Sequence, residues 1–277
     1  MNNTVAPRAY LLTIAYDGTN YAGWQRQENA VAVQEKVEIA LGALLECDVR
    51  VTAAGRTDSG VHALGQRVGF KADNLKVPLN KLPMVLNGLL PGDISVSFAE
   101  EVPLSFSPRF DAVDKTYSYR ILNAACPNPL LSRYSAFFPA RLDVHKMKEA
   151  AKHFVGRHDF AAFCATGSSA KTTVREIYCA EVRESRTDIC GQRAESVVDI
   201  SVTGNAFLYN MVRIIAGTLV YVGIGKICPS AISEIILSKS RKKAGKTMPP
   251  HGLTLIGVSY PQNLLYNVAI STETGIV

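Results

Sequence analysis

No stretch of this 277-residue chain stays apolar for long. The longest such run covers residues 214–225, 12 residues preceded by Arg213. That is too short to cross a bilayer and reads as a core helix. Residues 1–10 hold no apolar leader segment, so a cytoplasmic protein without a membrane partner is expected. The six cysteines stand 11 or more residues apart, which excludes a C-x-x-C pair and zinc-ribbon spacing and leaves reduced, buried thiols as the expectation. The five histidines form no H-E-x-x-H. There is no G-x-G-x-x-G and no Walker sequence, because Gly223-Ile224-Gly225-Lys226 lacks both the upstream glycine and the following Ser or Thr. The residues therefore advertise neither a metal nor a nucleotide cofactor. No segment is low in complexity and no exact internal repeat is present.

What remains is ordinary globular composition, 47% hydrophobic and 19% charged, with a net charge of +6. The basic excess is mild and permits an acidic partner such as nucleic acid. Period-two patterning predicts strands at residues 10–16, 49–54, 66–71 and 94–98, and helical spacing predicts helices at 33–45 and 79–89. On the first helix Val33, Val37, Ala40, Leu41, Leu44 and Leu45 form one stripe. On the second, Leu79, Leu82, Leu86 and Leu89 share a face. The second half repeats the plan at greater length. It has strands at 115–122, 173–184, 195–203 and 253–260, and helices at 144–155, 207–222 and 229–237. These strands need not run parallel, so the expected class is α+β with a largely antiparallel sheet, in two halves flanking a cleft. The boundary is placed near residues 106–113, giving domains 1–110 and 111–277.

Three stretches carry chemistry. Asp58 sits in a glycine-bracketed loop, Gly55-Arg56-Thr57-Asp58-Ser59-Gly60, between two strands. Such a loop suits a functional carboxylate, and equally an Asp making its own local turn. The tripeptide recurs as Arg186-Thr187-Asp188 without glycines, where it reads as a solvated turn in a polar hairpin loop. Arg213 lies inside a strongly apolar helix, where a guanidinium needs either a carboxylate or a route to solvent. If its partner is Asp58, the cation favours the ionised carboxylate, and a desolvated carboxylate can act as a nucleophile. Tyr117 and Tyr119 share a strand face and serve either the core or the stacking of a planar ligand. Lys239, Arg241, Lys242, Lys243 and Lys246 cluster, and with Arg26, Arg56 and Arg109 they suit a phosphate-backbone footprint or simply a solvated surface. Asp58-Ser59-Gly60 also matches the D-[ST]-G of aspartic peptidases, but those need two carboxylates and no second such tripeptide is present.

In order along the chain, Tyr16-Asp17-Gly18, Gly23-Trp24-Gln25, residues 55–63, Arg109-Phe110-Asp111-Ala112, Tyr117-Ser118-Tyr119-Arg120, His158-Asp159-Phe160 with Phe163, residues 204–217 and Gly252-Leu253-Thr254-Leu255 resemble the TruA-type tRNA pseudouridine synthases. The resemblance implies two ferredoxin-like halves sharing a mostly antiparallel sheet, with helices on one face and a central cleft. It implies a homodimer, without cofactor or metal, that converts uridine to pseudouridine at positions 38 to 40 of the tRNA anticodon arm. By the same resemblance Asp58 is the essential aspartate, Arg213 its partner and Tyr117 the ring stacked on the base. Arg56 helps to extrude the nucleotide and Leu253 lines the pocket. Two positions depart from the family pattern: Lys115 where arginine is common, and Met248-Pro249-Pro250-His251 before the final Gly-Leu. Both concern substrate contacts rather than the aspartate.

Overall fold

A computed structural model describes residues 7–73, 75–188 and 194–265. Its first half runs β1 (Arg8–Tyr16), α1 (Val33–Leu45), β2 (Thr52–Ala53), β3 (His62–Ala72), α2 (Leu82–Asn87) and β4 (Ile94–Val102). The second half runs β5 (Asp114–Asn123), β6 (Ala136–Phe138), α3 (Val144–Lys152), β7 (Gly156–Asp159), β8 (Val174–Asp188), β9 (Ala194–Gly204), α4 (Met211–Gly223), α5 (Ala231–Ser238) and β10 (Leu253–Ser259). The strands form one sheet in the order β4-β1-β3-β10-β5-β9-β8-β7, with β2 beside β3 and β6 beside β5. Pairing is antiparallel except for β10 with β3 and β5 with β6. The fold is α+β, as the patterning predicts.

Strand alternation sorts the side chains. On β1, Tyr10, Leu12, Ile14 and Tyr16 enter the large core shared with the helices, while Ala9 and Leu11 join a small cluster with Val102, Phe106 and Tyr260 behind the sheet. Helix α4 is buried on nearly all sides, which explains its near-absence of charge. A strap at residues 244–248 crosses it. Gly245 N–H donates to Thr218 Oγ1 over 2.8 Å, and Met248 N–H to the Arg213 carbonyl over 3.2 Å.

The closing strand decides the geometry of the site. β10 lies between the halves, pairing Thr254 with His62 and Leu255 with Ala63 on β3, and Leu253 with Tyr119 and Leu255 with Tyr117 on β5. It therefore sets the loop preceding β3 beside the tyrosine strand.

Several expectations are corrected. The 79–89 helix is a short 3-10 turn followed by α2, because Pro83 favours a helix start and not an interior, and Leu89 is exposed. Residues 49–54 contribute only Thr52–Ala53 to the sheet, although Val49 and Val51 are buried. The 207–222 helix begins at Met211, since Asn210 takes a left-handed conformation at φ 60°. Strands β6 and β7 carry no expectation from the sequence. Arg186-Thr187-Asp188 ends strand β8, in register with residues 194–196 of β9, and does not form a loop. The described cysteines are free and none is buried: Cys47, Cys126 and Cys228 sit outside the regular elements and are exposed. Cys190 lies outside the described residues.

Candidate active site

The Asp58 loop is held at both ends and in the middle. Gln66 Nε2 donates to the Gly55 carbonyl over 2.9 Å. Tyr16 and Thr57 hydroxyls share a buried hydrogen bond of 2.8 Å. Trp24 N–H donates to the Thr57 carbonyl over 3.1 Å, and Gly60 N–H and Ser59 Oγ both reach the Tyr21 carbonyl at 3.3 Å. The 16–24 segment thus clamps the loop, which accounts for two separated motifs in the sequence. Gly23 makes the close approach possible. Its φ is 96°, and a Cβ there would lie 2.5 Å from the Thr57 carbonyl oxygen.

Among the described residues, no backbone N–H of the loop donates to the Asp58 carboxylate. The carboxylate instead faces Arg213, with Oδ2 3.6 Å from its Nη1. The local-turn reading of Asp58 is thereby set aside, and the partner is a guanidinium rather than the second carboxylate that a peptidase needs. Arg213 is itself well held. Its Nε donates to the Met248 carbonyl over 2.7 Å and its Nη1 to Asn210 Oδ1 over 2.5 Å. Asn210 stands at the N-cap of α4 but makes no side-chain cap. Its side chain accepts from Arg213 instead.

Burial raises the Asp58 carboxyl above its ordinary pKa, and Arg213 acts against that rise without cancelling it. This corrects the expectation that the cation would govern ionisation: desolvation is the larger influence. Tyr16 is pushed up to about 12 by burial, opposed by hydrogen bonds with Thr57 and Gln66. The Tyr117 hydroxyl is raised as well, first by burial and then by Tyr16 and Asp58. The Tyr117 ring meets Phe207 edge-on, centroids 5.2 Å apart. Tyr119 is fully buried and donates to the Pro249 carbonyl over 2.8 Å, and Tyr117 is buried in the same core cluster. Leu253, opposite Tyr119, is buried beside them. Arg56 is exposed and pairs with no described residue.

The remaining basic residues divide. Lys239 Nζ meets Asp159 at 2.8 Å, and Arg241 binds the Gly245 carbonyl and Thr247 Oγ1 at 2.8 and 3.0 Å, so both brace the fold. Arg26 leans on buried Glu38 at 3.4 Å. Lys242 and Lys243 are exposed, Lys246 lies 5.9 Å from the Phe138 ring centre, and Arg109 lies 5.3 Å from that of Phe110. Sequence reasoning missed Tyr16, Thr57, Gln66 and Asn210. All four lie in or beside motifs already quoted, but only contact shows their role. A cavity of about 430 Å³ opens on the reverse face of the sheet, lined in part by Asp17, His62, Ser118, Arg120 and Tyr134, and does not include Asp58. Among the described residues no group of three His, Cys, Asp or Glu side chains is placed to hold a metal, and no helix is long and apolar enough to cross a membrane.

A half-buried carboxylate fixed on a rigid loop, with a guanidinium behind it and an apolar wall beside it, can act as nucleophile or general base. A family model described as tRNA pseudouridine synthase matches residues 12–111 and 150–261. The tRNA pseudouridine synthase A of Caldicellulosiruptor bescii is 47% identical over 253 residues, covering 91% of this chain and 100% of that protein. The proteins of the same name from Ruminiclostridium cellulolyticum and Geotalea uraniireducens are also 47% identical, with the same coverage. Among solved structures, the archaeal box H/ACA Nop10–Cbf5 complex aligns with 88% of this chain and 46% of its own at 13% identity and a TM-score of 0.33, too distant to bear on the site. With 47% identity across nine-tenths of the chain, and a family model covering both the Asp58 loop and the Arg213 helix, the chain belongs to the tRNA pseudouridine synthase family and is an isomerase.

Proposed function

We propose that this chain converts uridine to pseudouridine in tRNA, at positions 38 to 40 of the anticodon arm, with Asp58 as the catalytic residue. The observation that carries the reading is the approach of Asp58 to Arg213 at 3.6 Å, from motifs in opposite halves of the chain. The reaction breaks the bond from ribose C1′ to ring N1, turns the uracil, and joins C1′ to C5. N1 gains a proton and C5 loses one, so no outside group donor is required. Asp58 provides the nucleophile or base. Tyr117 stacks on the base, Leu253 closes the pocket, and both exclude water that would hydrolyse a detached sugar. A stacked uridine cannot reach Asp58, so it is flipped out at a cost of roughly a few kcal/mol, and Arg56 helps to extrude it.

Backbone contacts from Arg26, Arg109, Lys242, Lys243 and Lys246 offset that cost, with recognition by shape rather than by base edges. Lys239 and Arg241 take part only while braced by Asp159 and the 245–247 segment. The protein works in the cytoplasm as a homodimer, and its two units divide after residue 110.

The test is tritium release from uridine labelled at C5 in tRNA, with mapping of the modified position. Release mapped to the anticodon arm, lost in Asp58→Ala while tRNA still binds, is the expected result. Full turnover by that variant removes Asp58 from the reaction. Modification elsewhere in the tRNA removes the anticodon-arm assignment.

A further inference from the structure

Residues 248–251, Met-Pro-Pro-His, offer their surroundings mainly acceptors, because Pro249 and Pro250 carry no N–H. Side chains from three elements take up the carbonyls. Arg213 Nε of α4 donates to Met248 over 2.7 Å, the Tyr119 hydroxyl of β5 to Pro249 over 2.8 Å, and His62 Nε2 of β3 to His251 over 3.2 Å. The first two donors already belong to the site. His62 has no role in it yet, although it is buried and stands four residues after Asp58. Its tautomer follows from its neighbours. Gly18 N–H donates to Nδ1 over 3.0 Å, so Nδ1 is bare and the proton sits on Nε2, facing a carbonyl that can only accept. Asp17 Oδ1 also lies 3.1 Å from Nδ1, but it accepts from the N–H and the hydroxyl of Thr19 at 2.9 and 2.5 Å.

These contacts close a circuit. Asp58 leads through residues 59–61 to His62, His62 to the His251 carbonyl, and the backbone from 251 back to 248 to the Met248 carbonyl. That carbonyl holds Arg213, which faces Asp58. Met248 N–H ties the segment to α4 a second time, at the Arg213 carbonyl. A Cβ on Gly60 would lie 3.1 Å from Pro250 Cγ, so the Asp58 loop and the segment also pack together. Asp58 Oδ2 and Arg213 Nη1 stand 3.6 Å apart, longer than a hydrogen bond. Their separation is therefore set by whatever holds each of them. We propose that His62 is a positioning residue of the isomerase, its Nε2–H bond to the His251 carbonyl fixing the Asp58 loop to the segment that anchors Arg213. The inference rests on the role proposed above for Asp58 and adds the residue that keeps it aligned with its cation. A reacting group displaced by a fraction of its contact distance loses much of its rate while substrate binding is little changed.

Two substitutions separate the ring nitrogens. Glutamine sets an N–H donor where Nε2 stands and loses the acceptor for Gly18, whereas asparagine sets an acceptor where Nδ1 stands and cannot reach His251. The experiment measures kcat and KM for tRNA by tritium release, and thermal melting, for the full-length wild type, His62→Asn and His62→Gln. Each variant gives up one buried hydrogen bond, so both should melt below wild type by similar amounts. His62→Asn is expected to lose about tenfold or more in kcat with KM nearly unchanged, and His62→Gln to recover most of that loss. Equal losses of kcat in the two variants, or a loss confined to KM, overturn the proposal. A tenfold loss in His62→Gln overturns it even where His62→Asn does not fold. The ring ¹⁵N shifts of His62 in the wild-type protein give a test that needs no variant. A protonated Nε2 and a bare Nδ1 are expected, and a proton on Nδ1 alone overturns the bond to His251. Full turnover by Asp58→Ala overturns the role of Asp58 first, and this proposal with it. An inactive Asp58→Ala beside equally active His62 variants overturns the role of His62 alone.

Discussion

Arg-Thr-Asp occurs twice in this chain, at residues 56–58 and 186–188. In the first copy glycines flank the tripeptide, the Thr57 hydroxyl is bonded to Tyr16, and the carboxylate leaves its own loop to face Arg213. In the second the backbone is extended and spends its hydrogen bonds on the β9 ladder, with Arg186 opposite Ser196. Identical residues thus make a clamped, half-buried acid in one half and the end of a hairpin strand in the other. The difference lies outside the tripeptide, in the glycines that let the 16–24 segment close on the loop and in the helix that brings Arg213.

The sharpest way to break this comparison is to remove each aspartate in turn. Asp58→Ala should lower turnover by more than about a thousandfold and Asp188→Ala should leave it unchanged, read by tritium release. Equal effects would erase the distinction. Next comes the partner: Arg213→Gln should cost about a hundredfold in kcat, because the carboxylate loses its charge-matched neighbour while its loop stays clamped. Tyr16→Phe tests the clamp. It removes one buried hydrogen bond, worth about 1 kcal/mol of stability, and should lower kcat about tenfold with little change in KM. A change confined to KM would mean that Tyr16 serves binding and not the placement of Asp58.

The smallest effect is on stability. The folded-state pKa of Asp58 is raised, so its favourable contribution is complete while the group is protonated and is lost as pH climbs through the folded value. At neutral pH the ionised carboxylate therefore destabilises the fold. Asp58→Asn should melt slightly above wild type at pH 7, and the gap should close on acidification. Melting curves at several pH values check the sign, and a variant less stable than wild type at pH 7 would show that Arg213 outweighs burial.

Much of the sheet is legible from alternation, since β1, β5 and β9 are long enough for a period of two to repeat several times. Strands β6 and β7, of 3 and 4 residues, are too short for any period to show. The 79–89 pattern fails at Pro83, where a steric rule outranks leucine spacing. The candidate site is legible as residue types and as family motifs. Its supports are not, because Tyr16 reads as an ordinary strand aromatic and Asn210 as an ordinary helix cap until their partners are seen.

The sequence by itself determined the strand and helix alternation, the glycine-bracketed acid and the buried arginine, because these depend on local periodicity and on the cost of placing a charge among apolar neighbours. Only the tertiary structure decided that β10 enters between β3 and β5 and that Arg213 meets Asp58 across 155 positions (from 58 to 213). Those outcomes depend on which strand edges pair and which surfaces leave water together. Such choices are made between distant segments, and no local pattern records them.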